Sequence, residues 1–427
     1  MSCKTVLDDL PYEYRERINK ELQIKLETNK YNSNAPPKYV YPYEIEEDDI
    51  YLPFAYAYRS LKLPRPSRSQ YPKMEVKFEG TLREPQKVVK KEALDLLSRK
   101  GSVIISAYTG FGKSIGAISL ACSIGFDVLI IVNKIVLMKQ WEASVMKFCP
   151  TAIVQRVTAK SKKNDDANFY IMNAINVCKM GKDFFSNVGT VIIDEAHLIM
   201  AETLSRSLQY VYPRYLIGLT ATPYRPDGLD ILLELYFGKH KIIRKLKRKH
   251  TAYHVETGFT PIVKLAKNGR VNWGSILDSQ ANDEGRNQLI LDIICHYSDR
   301  TFLVLTKRVS QGEYLVQKLT EMGEDVTSLI GSQQEFETSA RVLVGTSQKC
   351  GTGFDHPSLD TLLLGSDMEE YFIQYLGRVF RTQEVEPIIF DLVDNNGILK
   401  KHFTTRRGIY LEHGGTVKKF DLSKLNS

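Results

Sequence analysis

Between Ala107 and Ser114 the chain reads Ala-Tyr-Thr-Gly-Phe-Gly-Lys-Ser, after the apolar run Val103, Ile104, Ile105 and before an amphipathic stretch that reaches Leu120. This is G-x-x-x-x-G-K-[ST] with Ala107 in place of the first glycine, flanked by the strand and helix that the pattern requires. In such a loop the peptide NH groups across Tyr108, Thr109, Gly110, Phe111 and Gly112 and the helix N-terminus face a bound phosphate. Gly110 and Gly112 let the backbone approach it, Lys113 reaches the terminal phosphates, and Ser114 can hold Mg²⁺. About 80 residues on, Asp194 and Glu195 end the apolar run Val191, Ile192, Ile193. Adjacent carboxylates there can divide two tasks, Asp194 orienting Mg²⁺ through water and Glu195 polarising the water that attacks a γ-phosphate. An acidic pair after a strand also caps helices, but the phosphate loop and the Thr220-Ala221-Thr222 cluster together favour the chemistry.

In the second half, Gln374, Tyr375, Leu376, Gly377, Arg378, Val379, Phe380, Arg381 read as a helix that carries two arginines at i and i+3 on one face. Guanidinium groups there can stabilise phosphoryl transfer when two domains close, or serve as exposed ion-pair partners. Gly351 to Pro357 form a loop after a strand, in which Asp355 could accept from a ribose hydroxyl. Upstream, Gln86 offers both a donor and an acceptor to an adenine edge, or is an ordinary first-turn residue facing solvent.

These residues need a scaffold, and the hydrophobic pattern supplies one. Met74–Phe78 alternates like a half-buried strand, and a helix follows from Pro85 through Ser98, ending near Gly101. Val128–Val132 is a fully buried strand, leading through Asn133 and Lys134 into a helix that ends at Phe148. Ile153–Val157, Phe169–Met172, Val191–Ile193 and Leu216–Leu219 read as further strands. A second α/β series has helices over 282–297, 311–322 and 371–380 and strands over 302–305, 342–344, 361–364 and 388–392. Strands alternating with helices imply parallel sheets with sites at the strand carboxyl ends, where each polar cluster falls. The reading is α/β: residues 1–75 an N-terminal arm or small accessory domain, 76–245 a first ATP-binding domain, 246–280 a linker, and 281–427 a second domain. The basic run from Lys239 to His250 reads as a solvated face or linker, with phosphate contact as the alternative. The tail after Asn395 is basic and carries no clear pattern.

At 427 residues, 43% hydrophobic and 25% charged, the chain has the composition of ordinary globular domains. Its net charge of +8 suits a polyanionic partner but does not demand one. The six cysteines show no paired spacing, so neither a zinc site nor a disulfide framework is indicated and a reducing compartment is expected. No apolar run approaches a membrane span and no secretory signal is read at the N-terminus.

Leu82–Gln86, Ala107–Ser114, Asp194–His197, Leu219–Pro223, Arg225–Gly228, Arg286 with Asn287, Gly351–Pro357 and Gln374–Arg381 occur in the order found in a superfamily 2 DEAH-box helicase of the XPB and UvsW type. The chain resembles that family, and within it the helicases of large cytoplasmic DNA viruses, including the poxviral transcript-release helicase. The resemblance implies two tandem RecA-like domains with parallel sheets, ATP in the cleft between them and nucleic acid across their upper surface. It implies an ATP site built from Gln86, Ala107 to Ser114, Gly353, Asp355 and Gln374, with Glu195 activating water and Arg378 and Arg381 as arginine fingers. It further implies that His197, Thr220 and Thr222 couple that site to the nucleic-acid track, and that Asn133, Lys134 and Thr346 touch the backbone. The expected partners are nucleic acid, duplex DNA before RNA, with the viral RNA polymerase as a candidate. The expected protein is a monomer in viral factories of the host cytoplasm, with packaging in the virion an open alternative. Its N-terminal region is too short for the accessory domains of the larger repair relatives. The competing reading is an ATP-gated clamp that binds nucleic acid without unwinding it.

Overall fold

The computed structural model describes residues 2–25, 39–108, 110–199, 211–221, 230–266, 269–333, 335–350, 356–368, 372–381 and 385–426. The chain divides into a first unit, residues 1–107 with 111–244, and a second, residues 108–110 with 245–427. Among the sequence expectations, Thr109, Thr222, Gly353 and Asp355 lie outside the described residues.

In the first unit seven strands form one parallel sheet: β1 Ser102–Ala107, β2 Val128–Val132, β3 Val154–Val157, β4 Phe169–Asn173, β5 Thr190–Ile193, β6 Tyr215–Thr220 and β7 Lys241–Arg244. Their order is β7-β1-β6-β5-β2-β4-β3, every neighbouring pair parallel. β1, β2, β4, β5 and β6 are buried along their whole length, which is why they read as unbroken apolar runs. Helices α1 Glu84–Lys100, α2 Lys113–Ile124 and α3 Ile135–Phe148 return the chain to the sheet. Gly101 closes α1 in the left-handed region at φ 77°.

Residues 74–78 bury Met74 and Val76 in alternation but form no strand. The Met74 and Glu79 amides go to the carbonyls of Gly125 and Phe148, at 3.0 and 2.7 Å, rather than into a ladder. Before them, the strands Ser2–Val6, Glu44–Glu46 and Asp49–Pro53 form an antiparallel sheet over a core of Leu10, Ile18, Leu22, Leu52 and Tyr56. Phe54 leaves that core for the one beneath the large sheet. Arg59 donates to the Ser102 hydroxyl at 2.8 Å, fixing this N-terminal module to β1.

The second unit holds β8 His250–Glu256, β9 Phe302–Thr306, β10 Val326–Leu329, β11 Val342–Thr346, β12 Thr361–Leu364, β13 Ile388–Val393 and β14 Gly415–Lys419. Their order is β10-β11-β9-β12-β13-β8-β14, again parallel throughout. The helices are α4 Trp273–Asn282, α5 Glu284–His296, α6 Val309–Glu321, α7 Phe372–Val379 and α8 Gly397–Glu412. The segment 246–280, expected as a linker, therefore carries a strand of the sheet and a helix. The basic run ahead of it is consumed by structure: Arg244 pairs with Glu92 at 2.6 Å and Lys249 with Glu386 at 2.8 Å. Arg248 donates to the carbonyls of Phe380 and Val385 at 2.7 and 2.8 Å.

The unreadable tail becomes α8, and its position follows from charge. Asp391 is wholly buried in β13 and receives both Nε and Nη2 of Arg406 at 2.8 Å, with the Tyr410 hydroxyl at 2.7 Å. The third guanidinium nitrogen serves Asp367 at 2.8 Å and the Met368 carbonyl at 2.9 Å. Burial works against a charged Asp367, but His402 and Arg406 hold its carboxyl below the usual range. Arg406→Ala should cost the second unit about 3–5 kcal/mol, because two buried carboxylates lose their shared cation. Urea unfolding reports this, and a loss below about 1 kcal/mol would show that the pairing contributes little.

Candidate nucleotide and nucleic-acid site

A parallel sheet presents its carboxyl ends on one edge, and the order β1-β6-β5-β2 makes four of them neighbours. That edge brings together the loop after Ala107, Thr220 at the end of β6, Asp194 and Glu195 after β5, and Asn133 and Lys134 after β2. Ala107 is still a strand residue, paired with Arg244, so a methyl group replaces the first loop glycine without strain. Gly110 and Gly112 take φ 87° and 83°. A Cβ on Gly112 would also lie 2.4 Å from Gln86 Nε2. The backbone conformation disfavours any larger residue there, and a Cβ would also displace the Gln86 amide.

Gln86 is buried, not solvent-facing, and is engaged at both ends. Its Nε2 donates to the Phe111 carbonyl at 2.9 Å and its Oε1 accepts the Arg83 amide at 2.8 Å, closing the capping box of α1. Arg83 Nη2 also donates to the Phe111 carbonyl. Lys113, the first residue of α2, donates to the Ala107 carbonyl at 2.9 Å, so it spans the loop end to end. Among the described residues, none of those expected to bind ATP lines the open cleft of about 460 Å³ bounded by Phe78, Leu82, Lys90, Leu94 and Ser119.

Asp194 Oδ2 accepts the indole NH of Trp141 at 2.8 Å and Oδ1 the Glu195 amide at 3.1 Å. Burial and then the neighbouring Glu195 push the Asp194 carboxyl up to about 6, against Trp141 and Lys113. Glu195 sits in the left-handed region at φ 48°, a conformation that costs a non-glycine residue about 1 kcal/mol or more. Its Oε2 is buried without a hydrogen bond among the described residues and lies 3.5 Å from His197 Nδ1. The same Nδ1 is 2.7 Å from the Thr220 hydroxyl, a bond that ties the end of β6 to the acidic turn. The donor set of Ser114, Asp194 and Glu195 is hard oxygen, the chemistry that suits Mg²⁺.

In the second unit Gln374 and Arg378 are both buried on α7, and Gln374 Nε2 has no hydrogen-bond partner among the described residues. Tyr375 anchors the helix by donating to the Ser347 carbonyl at 2.7 Å, directly after Thr346, the last residue of β11. The helix ends at Val379, so the shared helical face expected for the arginines extends to Arg378 alone. Past that end the Phe380 carbonyl accepts from the Arg248 guanidinium at 2.7 Å. Two contributors went unread in the sequence: Trp141, which has no local signal, and Arg83, whose spacing to Gln86 was the available clue.

Two sheets of seven parallel strands with helices packed against them, the first with a phosphate loop on its carboxyl edge, are tandem RecA-like domains, the chassis of a nucleic-acid helicase. Residues 79–225 match the family model "Type III restriction enzyme, res subunit". "Putative helicase 161L" of Invertebrate iridescent virus 6 is 44% identical over 99% of this chain and 100% of that protein. "Putative helicase 055L" of Frog virus 3 is 31% identical over 86% of each. Among solved structures, S. cerevisiae Dbp5 bound to RNA and ADP BeF3 superposes with a TM-score of 0.54, at 12% identity, over 78% of this chain and 89% of that one. The chain belongs to the superfamily 2 helicases, alongside these viral proteins, and its ATP-hydrolysing helicase activity is that family's.

The Asp194 shift sets a pH signature. A carboxyl at about 6 when folded and 3.8 when unfolded keeps its proton on folding, so it stabilises fully below 3.8 and the benefit is lost as pH rises through about 6. In chelator-treated protein the wild type should lose melting temperature across that window relative to Asp194→Asn. Parallel melting profiles would place the Asp194 carboxyl at an ordinary value.

Proposed function

We propose that this chain is an ATP-driven motor that translocates along or unwinds duplex DNA during viral transcription, as a helicase of the XPB and UvsW type acting in transcript release. The observation that carries the reading is the Thr220–His197–Glu195 contact. One imidazole nitrogen faces both the carboxylate suited to activating water and a hydroxyl on the next strand. Such a bond can pass the state of the nucleotide to the sheet edge where Asn133 and Lys134 sit.

In this reading Lys113 leaves the Ala107 carbonyl for the β- and γ-phosphates, which arrive at the loop amides and the α2 N-terminus. Ser114 and Asp194 would hold Mg²⁺, which would supply neutralisation of phosphate charge. Glu195, strained and underused in its hydrogen bonding, orients the attacking water. Arg378 and Arg381 meet the charge that develops on the transferred phosphoryl group. Gln86 reads adenine after giving up the Phe111 carbonyl to Arg83, and Gln374, Gly353 and Asp355 complete the nucleotide contacts. Thr346 joins Asn133 and Lys134 on the phosphate backbone. The net charge of +8 suits that backbone. We place the protein as a monomer in the host cytoplasm, in contact with the viral RNA polymerase.

Glu195→Gln should retain ATP binding and lose turnover by about a hundredfold or more, while Lys113→Ala should lose turnover altogether. ATPase rates with no nucleic acid, duplex DNA, single-stranded DNA and RNA identify the substrate; the largest stimulation by RNA would overturn the DNA assignment.

Thr220→Ala with Thr222→Ala should keep most of the ATPase and lose most strand displacement. If the folded double variant unwinds as fast as its ATPase permits, the coupling role is wrong. ATP-dependent binding by the wild type without any displacement or translocation would favour the clamp.

A further inference from the structure

Cys122 and Cys149 lie 27 residues apart in sequence, yet their sulfurs are 3.5 Å apart. Cys122 is in the last turn of α2 and Cys149 directly follows the end of α3. Cys149 is fully buried whereas Cys122 is partly open to solvent. A bonded pair of sulfurs stands at about 2.05 Å, so a side-chain rotation and a small approach of the two helix ends are all that separates contact from a covalent link. The surroundings differ from those of Cys178, which is exposed and makes a thiol hydrogen bond, at 3.6 Å, to a backbone carbonyl. The hydrogen bond from Cys149 and burial hold the Cys122 thiol above its ordinary range, with Lys90, whose ammonium donates to Ser119 at 2.8 Å one turn ahead of it, opposing them only in part. Exposure rather than acidity therefore makes Cys122 the sulfur that a small oxidant reaches first.

We propose that Cys122 and Cys149 form a peroxide-responsive modification site that closes a reversible disulfide between α2 and α3. The thiolate sulfur of Cys122 attacks one oxygen of hydrogen peroxide, the O–O bond breaks, and hydroxide leaves to take up a proton as water. The sulfenic acid on Cys122 is then attacked by the sulfur of Cys149: the S–S bond forms, the S–O bond breaks, and a second water leaves. Two thiols and one peroxide give one disulfide and two waters, and a dithiol reductant reverses the change. The link encloses the end of α2, all of β2 and all of α3, so it restrains the unfolded chain over that span and stiffens the domain behind the phosphate loop.

The test treats full-length protein with hydrogen peroxide and maps its peptides by mass without reduction. A Cys122–Cys149 crosslink that dithiothreitol removes is expected, with Cys178 ending as a sulfenic, sulfinic or mixed product instead. In Cys149→Ser, dimedone should label Cys122; in Cys122→Ser, dimedone labelling at Cys149 should be at least tenfold lower. Oxidised wild type should melt several degrees above the reduced form, and neither serine variant should show that rise. Oxidation of Cys178 with Cys122 and Cys149 still recovered as free thiols overturns the proposal. So does a crosslink from either cysteine to a different residue. The wild-type peptide map decides even if a serine variant fails to fold.

Discussion

A loop that offers its peptide NH groups to an anion must turn its carbonyls the other way, into the protein, where each needs a donor. The rest of the first domain is arranged around that demand. The Phe111 carbonyl is met by Gln86 and Arg83 and the Ala107 carbonyl by Lys113. Because Gln86 and Arg83 lie at the start of α1, that helix can enter the sheet at only one place. Because Gln86 passes so close to Gly112, a side chain there would have to displace its amide. The loop is thus braced from behind by the residues expected to serve the ligand in front.

The acidic turn shows the same economy with a different cost. Asp194 is held by an indole from α3 and by the amide of its own neighbour, which leaves Glu195 at φ 48° with a buried oxygen. Strain of this kind persists where surrounding contacts over-determine the backbone. Here the contacts come from two strands and a helix, since His197 is fastened to Thr220 across the sheet.

What the sequence disclosed and what it hid divide along physical lines. The phosphate loop, the acidic pair and the buried strands were legible because glycine spacing and unbroken apolar runs are local signals. The engagement of Gln86 was not, since it depends on a partner distant in sequence, Phe111. The same holds for α8. A basic tail has no reason of its own to pack one helical face inward, and Arg406 goes inward because Asp391 and Asp367 are already there. Met74–Phe78 failed in the opposite sense, with alternation fulfilled in burial but no neighbouring strand to pair with.

The second sheet threads its first strand last. β8, which opens that unit in sequence, is hydrogen-bonded on one side to β13 and on the other to β14, the final strand. A ribosome making this protein therefore releases β8 long before either neighbour exists. Until β13 emerges Ala252 and Val255 have no strand to pair with, and until α8 follows Asp391 lacks the Arg406 guanidinium. The strands β9 to β12 can pair with one another as they are made, whereas β8 has to wait for β13 and β14, a nascent strand that a chaperone or a neighbouring copy can engage in the interval.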